Sequence, residues 1–480
     1  MTNKLKPSFK RGALSLAVVV LTGCASLSPD GGVADVQQLT TGKTGGVDAR
    51  LKSATPSSAN ADAAIAELLK TPLTAQSAVQ IALLNNPSLR GSLATLGISD
   101  AQRVQAGRLP NPHFALGRLR DGDKLEIERM LSFNVIGLLM LPWQAQWAGQ
   151  QHELAKLQAA QDVIKVAADT RKAWIRAVAA QQTAGYMGDV KDAAEASGEF
   201  ARRMARVGNW SRLQQAREQL NLAETTAQLA RAQQAAFSER EKLIRLMGLW
   251  GTQTQFTLAD RLPDLPKAAT EITDVETQAL RERLDVRSAM AESGYVASQL
   301  GLTQVAGYLD GLTLSAIRNT TFDNAAGTRD TTRGWELQLP LPIFDWGGAR
   351  NAKSKALYMQ SAARVREVAV NARSEAREAY HGYRTAYDLA RHYRDEVVPL
   401  RQFINEETVL RYNGMLASVW DLLADTRQQA LSVNSAIEAQ RDFWLAEADL
   451  QTTLTGTSVG GLAGMKASSG GAVDEAAAAH

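Results

Sequence analysis

Residues 311 to 341 read "GLTLSAIRNTTFDNAAGTRDTTRGWELQLPL", and they decide the fold. Leu312, Leu314 and Ala316 alternate with Thr313, Ser315 and Ile317, and Trp335, Leu337 and Leu339 alternate with Glu336 and Gln338. A period of two over such runs, with a polar turn between them, is the signature of a strand, a turn and a second strand. Residues 110 to 141, "PNPHFALGRLRDGDKLEIERMLSFNVIGLLML", have the same plan, so the chain is expected to hold two hairpins, about 112–141 and about 311–341. Four strands cannot close a barrel, and an open edge in lipid leaves backbone groups unpaired at several kcal/mol each. The smallest barrels have about 8 strands, so more than one copy must contribute if these strands cross a membrane. Three copies of four would give twelve.

The 13 prolines punctuate the rest. None lies between Pro142 and Pro263, between Pro342 and Pro399, or after Pro399, and these gaps are filled with Ala, Gln, Arg, Glu and Leu, the strong helix formers. The reading is of very long helices, near 60 residues each and reaching ~90 Å. Leu154, Leu157, Ile164, Ala168, Ile175 and Val178, and in a second helix Val365, Val368, Ala372, Ala379, Ala386, Leu389 and Tyr393, trace coiled-coil seams at steps of three and four.

The two halves share one plan. Pro142 follows Leu141 and Pro342 follows Leu341, each pair closing a hairpin and opening a long helix; Arg90 corresponds to Arg287, and Gly208 to Gly414 at a helix-to-helix turn. The expected organisation is a signal peptide over 1–23, a flexible N-terminal segment over 24–70, a first repeat over 71–265, a second over 266–457 and a flexible tail over 458–480.

The N-terminus gives an address. Lys4, Lys6, Lys10 and Arg11 precede a short apolar run from Ala13 to Leu21, a secretory signal too short to span a bilayer. Cys24 is the only cysteine, so it closes no internal disulfide. Leu21-Thr22-Gly23-Cys24 resembles a lipobox, which implies cleavage before Cys24, lipid on that cysteine and, with Ala25 rather than Asp after it, the outer membrane. Four of the 53 basic residues lie in the signal, leaving 49 against 50 acidic ones, a balance that gives no sign of a nucleic-acid partner, and none is expected. "TGKTGG" at 41–46 is no phosphate loop, because position 37, where a further glycine is needed, holds Gln37. Phe114, Phe133, Trp143, Trp335, Phe344 and Trp346 stand near the expected strand ends, where aromatic rings suit a membrane interface.

No catalytic site is legible. His113, His152, His381, His392 and His480 form no i, i+4 pair and no HExxH motif; no serine stands in a GxSxG elbow, and no thiol nucleophile remains beside a lipidated Cys24. The expectation is a protein that is not an enzyme, without metal or cofactor beyond the covalent lipid.

Three stretches, "LTAQSAVQIALLNNPSLRG" (73–91), "LPLPIFDWGGARNAKSKA" (339–356) and "YNGMLASVWDLLADTRQQAL" (412–431), resemble in order the recurrent motifs of TolC-like outer-membrane efflux channels, over about residues 70 to 455. The resemblance implies a mainly helical homotrimer with a periplasmic α-tunnel and one shared twelve-stranded β-barrel, four strands per protomer. It also implies a passive exit duct for small toxic compounds or metal cations, working with a periplasmic adaptor and an inner-membrane transporter of the RND type. A protein-secretion duct and a non-conducting envelope lipoprotein are the alternatives; alternating strands flanked by aromatics disfavour the latter. The periplasmic gate is implied at Asp421, with Gly414 and Arg411 in the same turn and Gly208 and Gln214 in the first-half turn. Three clustered copies of Asp421 would attract cations and shift one another toward protonation. Ala424, Asp425 and Ser211 depart from the family pattern around it.

Overall fold

The computed structural model describes residues 26–47, 58–306, 312–339, 343–344 and 346–458; the signal peptide, Cys24, Pro342 and the tail after 458 lie outside them. Contacts divide the chain into two units, one of residues 1–36, 92–159 and 287–367 and one of residues 37–91, 160–286 and 368–480.

The first unit holds the sheet. Strand β1 (His113–Asp121) pairs antiparallel with β2 (Lys124–Asn134), and β3 (Thr313–Asp323) with β4 (Thr328–Gln338). β2 also pairs with β3, so both hairpins form one sheet in the order β1-β2-β3-β4, and β1 and β4 each pair on one side only. The first hairpin is shorter than predicted. At Val135 the chain turns into a helix that runs to Arg206 and contains Pro142. Asn134 Oδ1 accepts the Gly137 N–H at 2.8 Å, satisfying one donor of the first helical turn. The apolar run 135–141 carries no period that separates strand from helix, and Pro142 forfeits one hydrogen bond without ending the element.

Preceding the sheet are α1 (Val33–Thr40), α2 (Ser58–Leu68), α3 (Ala75–Asn85) and α4 (Pro87–Ala106); α5 (Val135–Arg206) and α6 (Arg212–Met247) complete the first half. The second half repeats the order with α7 (Val275–Glu282), α8 (Leu284–Ala306), the β3–β4 hairpin, α9 (Gly348–His392), α10 (Val398–Asn413) and α11 (Val419–Thr455). α5 has 72 residues, longer than expected. Pro399 was expected to end a helix, yet α9 leads into α10 through a π turn at Tyr393–Val397, in which Val398 N–H donates to Tyr393 O. The wider turn shifts the hydrogen-bond register just ahead of the residue that has no N–H. The buried seam of α9 also differs from the predicted one: Ala372, Ala376, Tyr383, Tyr387 and Ala390 are buried while Leu389 is exposed, because a 3.5-residue stripe drifts around a 3.6-residue helix.

The second unit buries two apolar clusters, one around Leu73, Trp174, Val178, Leu243 and Met247 and one around Tyr383, Tyr387 and Phe443. Polar tips are satisfied at the backbone: Trp174 Nε1 donates to Leu73 O at 2.8 Å and Tyr387 Oη to Pro266 O at 3.2 Å. The repeat shows in its joints. Between α3 and α4, Asn86 Nδ2 donates to Leu246 O at 2.8 Å and Asn85 Nδ2 to Gly248 O at 2.7 Å; between α7 and α8, Leu284 N–H donates to Gly456 O at 3.0 Å.

The segment from Ser26 was expected to be a flexible tether, but its described part, 26–47, is tied down. In the first unit Ser28 N–H donates to Asp100 Oδ2 at 2.8 Å and Lys156 Nζ pairs with Asp35 Oδ2 at 2.8 Å. The Ser28 hydroxyl, with the Ala34 and Gly32 amides, holds the Asp30 carboxyl down at about 2. In the second unit Arg171 donates to Gly45 O and Lys43 Nζ to Glu282 O at 2.9 Å, so "TGKTGG" is tied down both through its own lysine and through a glycine carbonyl. Composition alone reads such Gly, Ser and Thr as flexible, whereas a glycine carbonyl can be held by a long arginine side chain and a lysine of the segment can reach a helix-end carbonyl.

A pH dependence follows at this strap. His152 is buried, its Nδ1 is 3.0 Å from Ser99 Oγ, and a Cβ at Gly32 would lie 3.4 Å from its Nε2. Burial, then Lys156, then Arg103 push its pKa below the ordinary 6.5, against the opposing pull of Asp100 and Glu153. With the strap undocked His152 is solvated and binds the proton better, so the stability it gives is present above pH 6.5 and is lost as pH falls below 6.5 toward its lowered native value. A spin label at Ala34→Cys is expected to gain mobility between about pH 7.5 and about pH 5.5, and His152→Gln to abolish the change; equal mobility at both pH values refutes it.

Candidate functional site at the helical turns and the two-faced sheet

Both long helix pairs of the second unit are joined by the same turn. After α5, Asn209 N–H donates to Met204 O at 3.0 Å and Gly208 N–H to Ala205 O at 3.2 Å; after α10, Leu416 N–H donates to Arg411 O at 2.8 Å and Met415 N–H to Tyr412 O at 3.0 Å. This paired pattern needs a left-handed residue at its centre. In the first turn that residue is Gly208, with φ of 77°. In the second it is Met415, with φ of 61°, the one non-glycine at positive φ among the described residues, while Gly414 sits at φ of −80°. The predicted match of Gly208 with Gly414 is therefore one residue off: Gly208 corresponds to Met415.

The next helices start alike. Ser211 N–H donates to Gln214 Oε1 at 2.8 Å and Gln214 N–H to Ser211 Oγ at 3.2 Å; Ser418 N–H donates to Asp421 Oδ2 at 3.0 Å and Asp421 N–H to Ser418 Oγ at 3.2 Å. Both are capping boxes. The Ser418 hydroxyl first, and its amide second, hold the exposed Asp421 carboxyl below its ordinary value, so within one chain the shift runs opposite to the one expected for a trimer. Arg411 contributes its carbonyl to the turn, and its side chain, like Gly414 and Gly208, is exposed.

Groups that sequence reasoning passed over bind the two turns together. The Trp210 and Trp420 rings stack at 4.4 Å, and Phe200 meets Trp210 edge-on at 5.5 Å. Farther along, Arg427 Nη2 pairs with Glu218 Oε1 at 2.5 Å; Glu218 is 1% exposed and also accepts the Ser197 hydroxyl at 2.8 Å. Thr408 Oγ1 donates to Asp425 Oδ2 at 2.5 Å, joining α10 to α11. The available signal was the pair of Ser-x-x-Gln and Ser-x-x-Asp boxes, each with a tryptophan within two residues of its serine.

The sheet in the first unit has two chemically distinct faces. The register places Phe114, Leu131, Phe133, Leu314, Leu337 and Trp335 on one face, and farther toward the turns on that face Arg118, Arg120, Arg129, Arg318, Arg329 and Arg333 interspersed with Leu116, Leu125, Ile127 and Phe322. The other face carries Asp121, Glu126, Glu128, Asp323, Asp330 and Glu336, with Lys124 its only lysine and no arginine. Of the expected interface aromatics, Trp335 lies on the apolar face, Trp143 lies inside α5 rather than at a strand end, and Phe344 and Trp346 precede α9; all four are exposed. Among the described residues no group of His, Cys, Asp and Glu is placed to hold a metal, and no helix is long and apolar enough to cross a membrane.

No family model and no curated protein matches the chain. Solved structures do. The Campylobacter jejuni CmeC outer membrane channel is similar with a TM-score of 0.65 at 15% identity, over 80% or more of each chain (81% of this one, 87% of CmeC). The outer membrane protein VceC from Vibrio cholerae gives 0.63 at 15% identity over 80% of this chain and 96% of VceC, and CusC, studied for transmembrane channel formation, gives 0.63 at 15% identity over 80% and 92%. The helix pairs, the repeated turns and the four-stranded sheet are together the fold of the TolC-like outer-membrane channels.

Proposed function

We propose that this protein is the outer-membrane exit channel of a tripartite efflux pump, a passive conduit from periplasm to exterior for small toxic compounds or metal cations. One observation carries the reading: a four-stranded sheet, open at both edges, with apolar side chains and the six strand arginines on one face and six carboxylates on the other. Such a sheet is at rest in lipid only when other copies close it into a barrel with the carboxylate face inside. The chain is then a homotrimer with a twelve-stranded barrel, and its partners are a periplasmic adaptor and an inner-membrane transporter of the RND type. An acidic wall favours cations over anions. The lipid on Cys24 anchors each chain in the outer membrane, and the exposed Trp143, Trp335, Phe344 and Trp346 sit near the membrane interfaces. The turns holding Asp421, Arg411, Gly414, Gly208 and Gln214 form the periplasmic gate.

Planar-bilayer recording tests the conduit. The purified protein is expected to conduct with a preference for potassium over chloride, and Asp421→Asn to weaken block by a trivalent cation while leaving trimer assembly intact. A trimer that inserts but carries no current refutes the channel; unchanged block in D421N confines Asp421 to its capping role. Intact-mass measurement tests the anchor: the mature chain is expected to begin at Cys24 and to carry acyl mass, and an unmodified chain with another start refutes it.

A further inference from the structure

We propose that Arg129, Arg318 and Arg333, with Arg118, Arg120 and Arg329 beside them, form a binding site for the phosphates of an outer-leaflet lipid headgroup. The proposal rests on the channel reading, because it needs this face of the sheet to meet lipid.

The register makes Arg129 the partner of Arg318 and Arg318 the partner of Arg333, so three guanidinium side chains stand in one row across three adjacent strands. Like charges directly opposite one another destabilise a sheet, so folding alone does not explain the row. Nor does the chain neutralise it. The arginine face has no carboxylate, every Asp and Glu of the four strands points to the other side, and among the described residues none of the six arginines makes an ion pair. Their own contacts are weak ones: Arg129 Nη1 donates to Thr320 Oγ1 at 3.3 Å, Arg120 Nε to Gly122 O at 3.4 Å, and Arg329 lies 5.3 Å from the centre of the Phe322 ring. Five of the six are exposed.

Position along the strands says what covers them. On the same face the end next to the helices, with Phe114, Leu131, Phe133, Leu314, Trp335 and Leu337, holds no arginine; all six arginines begin at the level of Leu116 and continue toward the turns, interspersed with Leu125, Ile127 and Phe322. An unpaired arginine at the midplane of a barrel's lipid face costs about 2–4 kcal/mol, falling to about 0–1 near the interface. Six of them are tolerable only at headgroup level, on the side away from the helices, which is the outer leaflet when the helices are periplasmic. The residue type names the ligand. All six cations on this face are arginine and none is lysine, and the planar guanidinium is the side chain that takes phosphate through two parallel hydrogen bonds. The row spans two inter-strand steps, about 10 Å, so a headgroup with more than one phosphate can engage it at two points.

The test uses native mass spectrometry of the full-length trimer in detergent with bisphosphorylated lipid A, phosphatidylethanolamine and inorganic phosphate as probes. Wild type is expected to retain lipid A and not phosphatidylethanolamine. The variant R129Q/R318Q/R333Q is expected to keep the trimer mass and to lose at least about tenfold in lipid A retention, the scale of one charge-assisted contact. E126Q/E128Q, on the opposite face, is expected to retain lipid A as wild type does. Equal retention by the triple-arginine variant and wild type, with the trimer intact, overturns the site alone. Displacement of lipid A by millimolar inorganic phosphate overturns the lipid assignment in favour of a free anion. A wild-type chain that forms no trimer overturns the channel reading and the site together.

Discussion

Arg283→Leu is expected to lower the stability of the helical unit by about 3–5 kcal/mol, the range for removing one partner of a buried ion pair. Arg283 is 1% exposed and stands where α7 ends. Its Nε and Nη2 donate to Asp285 Oδ1 and Oδ2 at 3.0 and 2.6 Å, a two-pronged contact, and its Nη1 donates to Glu375 Oε2 at 2.8 Å on α9. Glu375 in turn accepts the Ser458 hydroxyl at 2.7 Å. Two opposing effects compete. Leucine fills much of the volume and needs no desolvation, which favours the variant; the two carboxylates, 20% and 22% exposed, lose their counterion, which disfavours it. Coulomb attraction and repulsion grow as water is excluded, so the second effect wins. The triple variant R283L/D285N/E375Q separates the two: its loss in denaturant midpoint, followed by helical circular dichroism, should be smaller than that of R283L alone. A triple variant as unstable as the sum of its parts shows that packing, not charge, decided the outcome.

Much of this architecture is written in local patterns. The strands were legible because Leu314, Ala316, Trp335 and Leu337 repeat at a period of two, and the helices because long proline-free runs are rich in strong helix formers. The pairing of β2 with β3 was not legible, since nothing local relates Arg129 to Arg318. Part of the arginine face was present at even spacing within single strands, as 118/120 and 329/333, but Arg129 and Arg318 join it only through register, and a search for apolar alternation passes over it. At the turns the glycine rule misled. Gly414 invited the left-handed position, yet the paired hydrogen bonds from Met415 and Leu416 place that conformation one residue later, where a methionine bears a cost of about 1–2 kcal/mol. For Asp421 the motif pointed to a gate while the chain shows a capping box; threefold crowding is a property of the assembly, to which no local pattern speaks.

Gly248→Ala is expected to cost about 2–5 kcal/mol, more than the same change at its second-half counterpart Gly456. Gly248 caps α6 with φ of 66°, where any residue with a Cβ is strained by about 1–2 kcal/mol. A Cβ there would also lie 2.8 Å from Asn85 O and 3.1 Å from Pro87 Cδ. The backbone it meets cannot recede, because Asn85 and Asn86 hold the end of α6 through bonds to Gly248 O and Leu246 O at 2.7 and 2.8 Å, and overpacking of a fixed neighbour costs a further 1–3 kcal/mol or so. Gly456 differs in kind. Its φ is −109°, free of left-handed strain, although its Cβ would lie 2.7 Å from Cγ2 of the buried Ile164 and 3.1 Å from Thr452 O. Gly456→Ala should therefore cost about 1–3 kcal/mol, the overpacking range without the added left-handed strain. Denaturation midpoints of the two variants, measured side by side in the full chain, decide the matter. Equal losses at both sites would mean that strain at Gly248 is relieved by movement of the α3–α4 joint, and that the asparagine bonds do not hold that joint rigid.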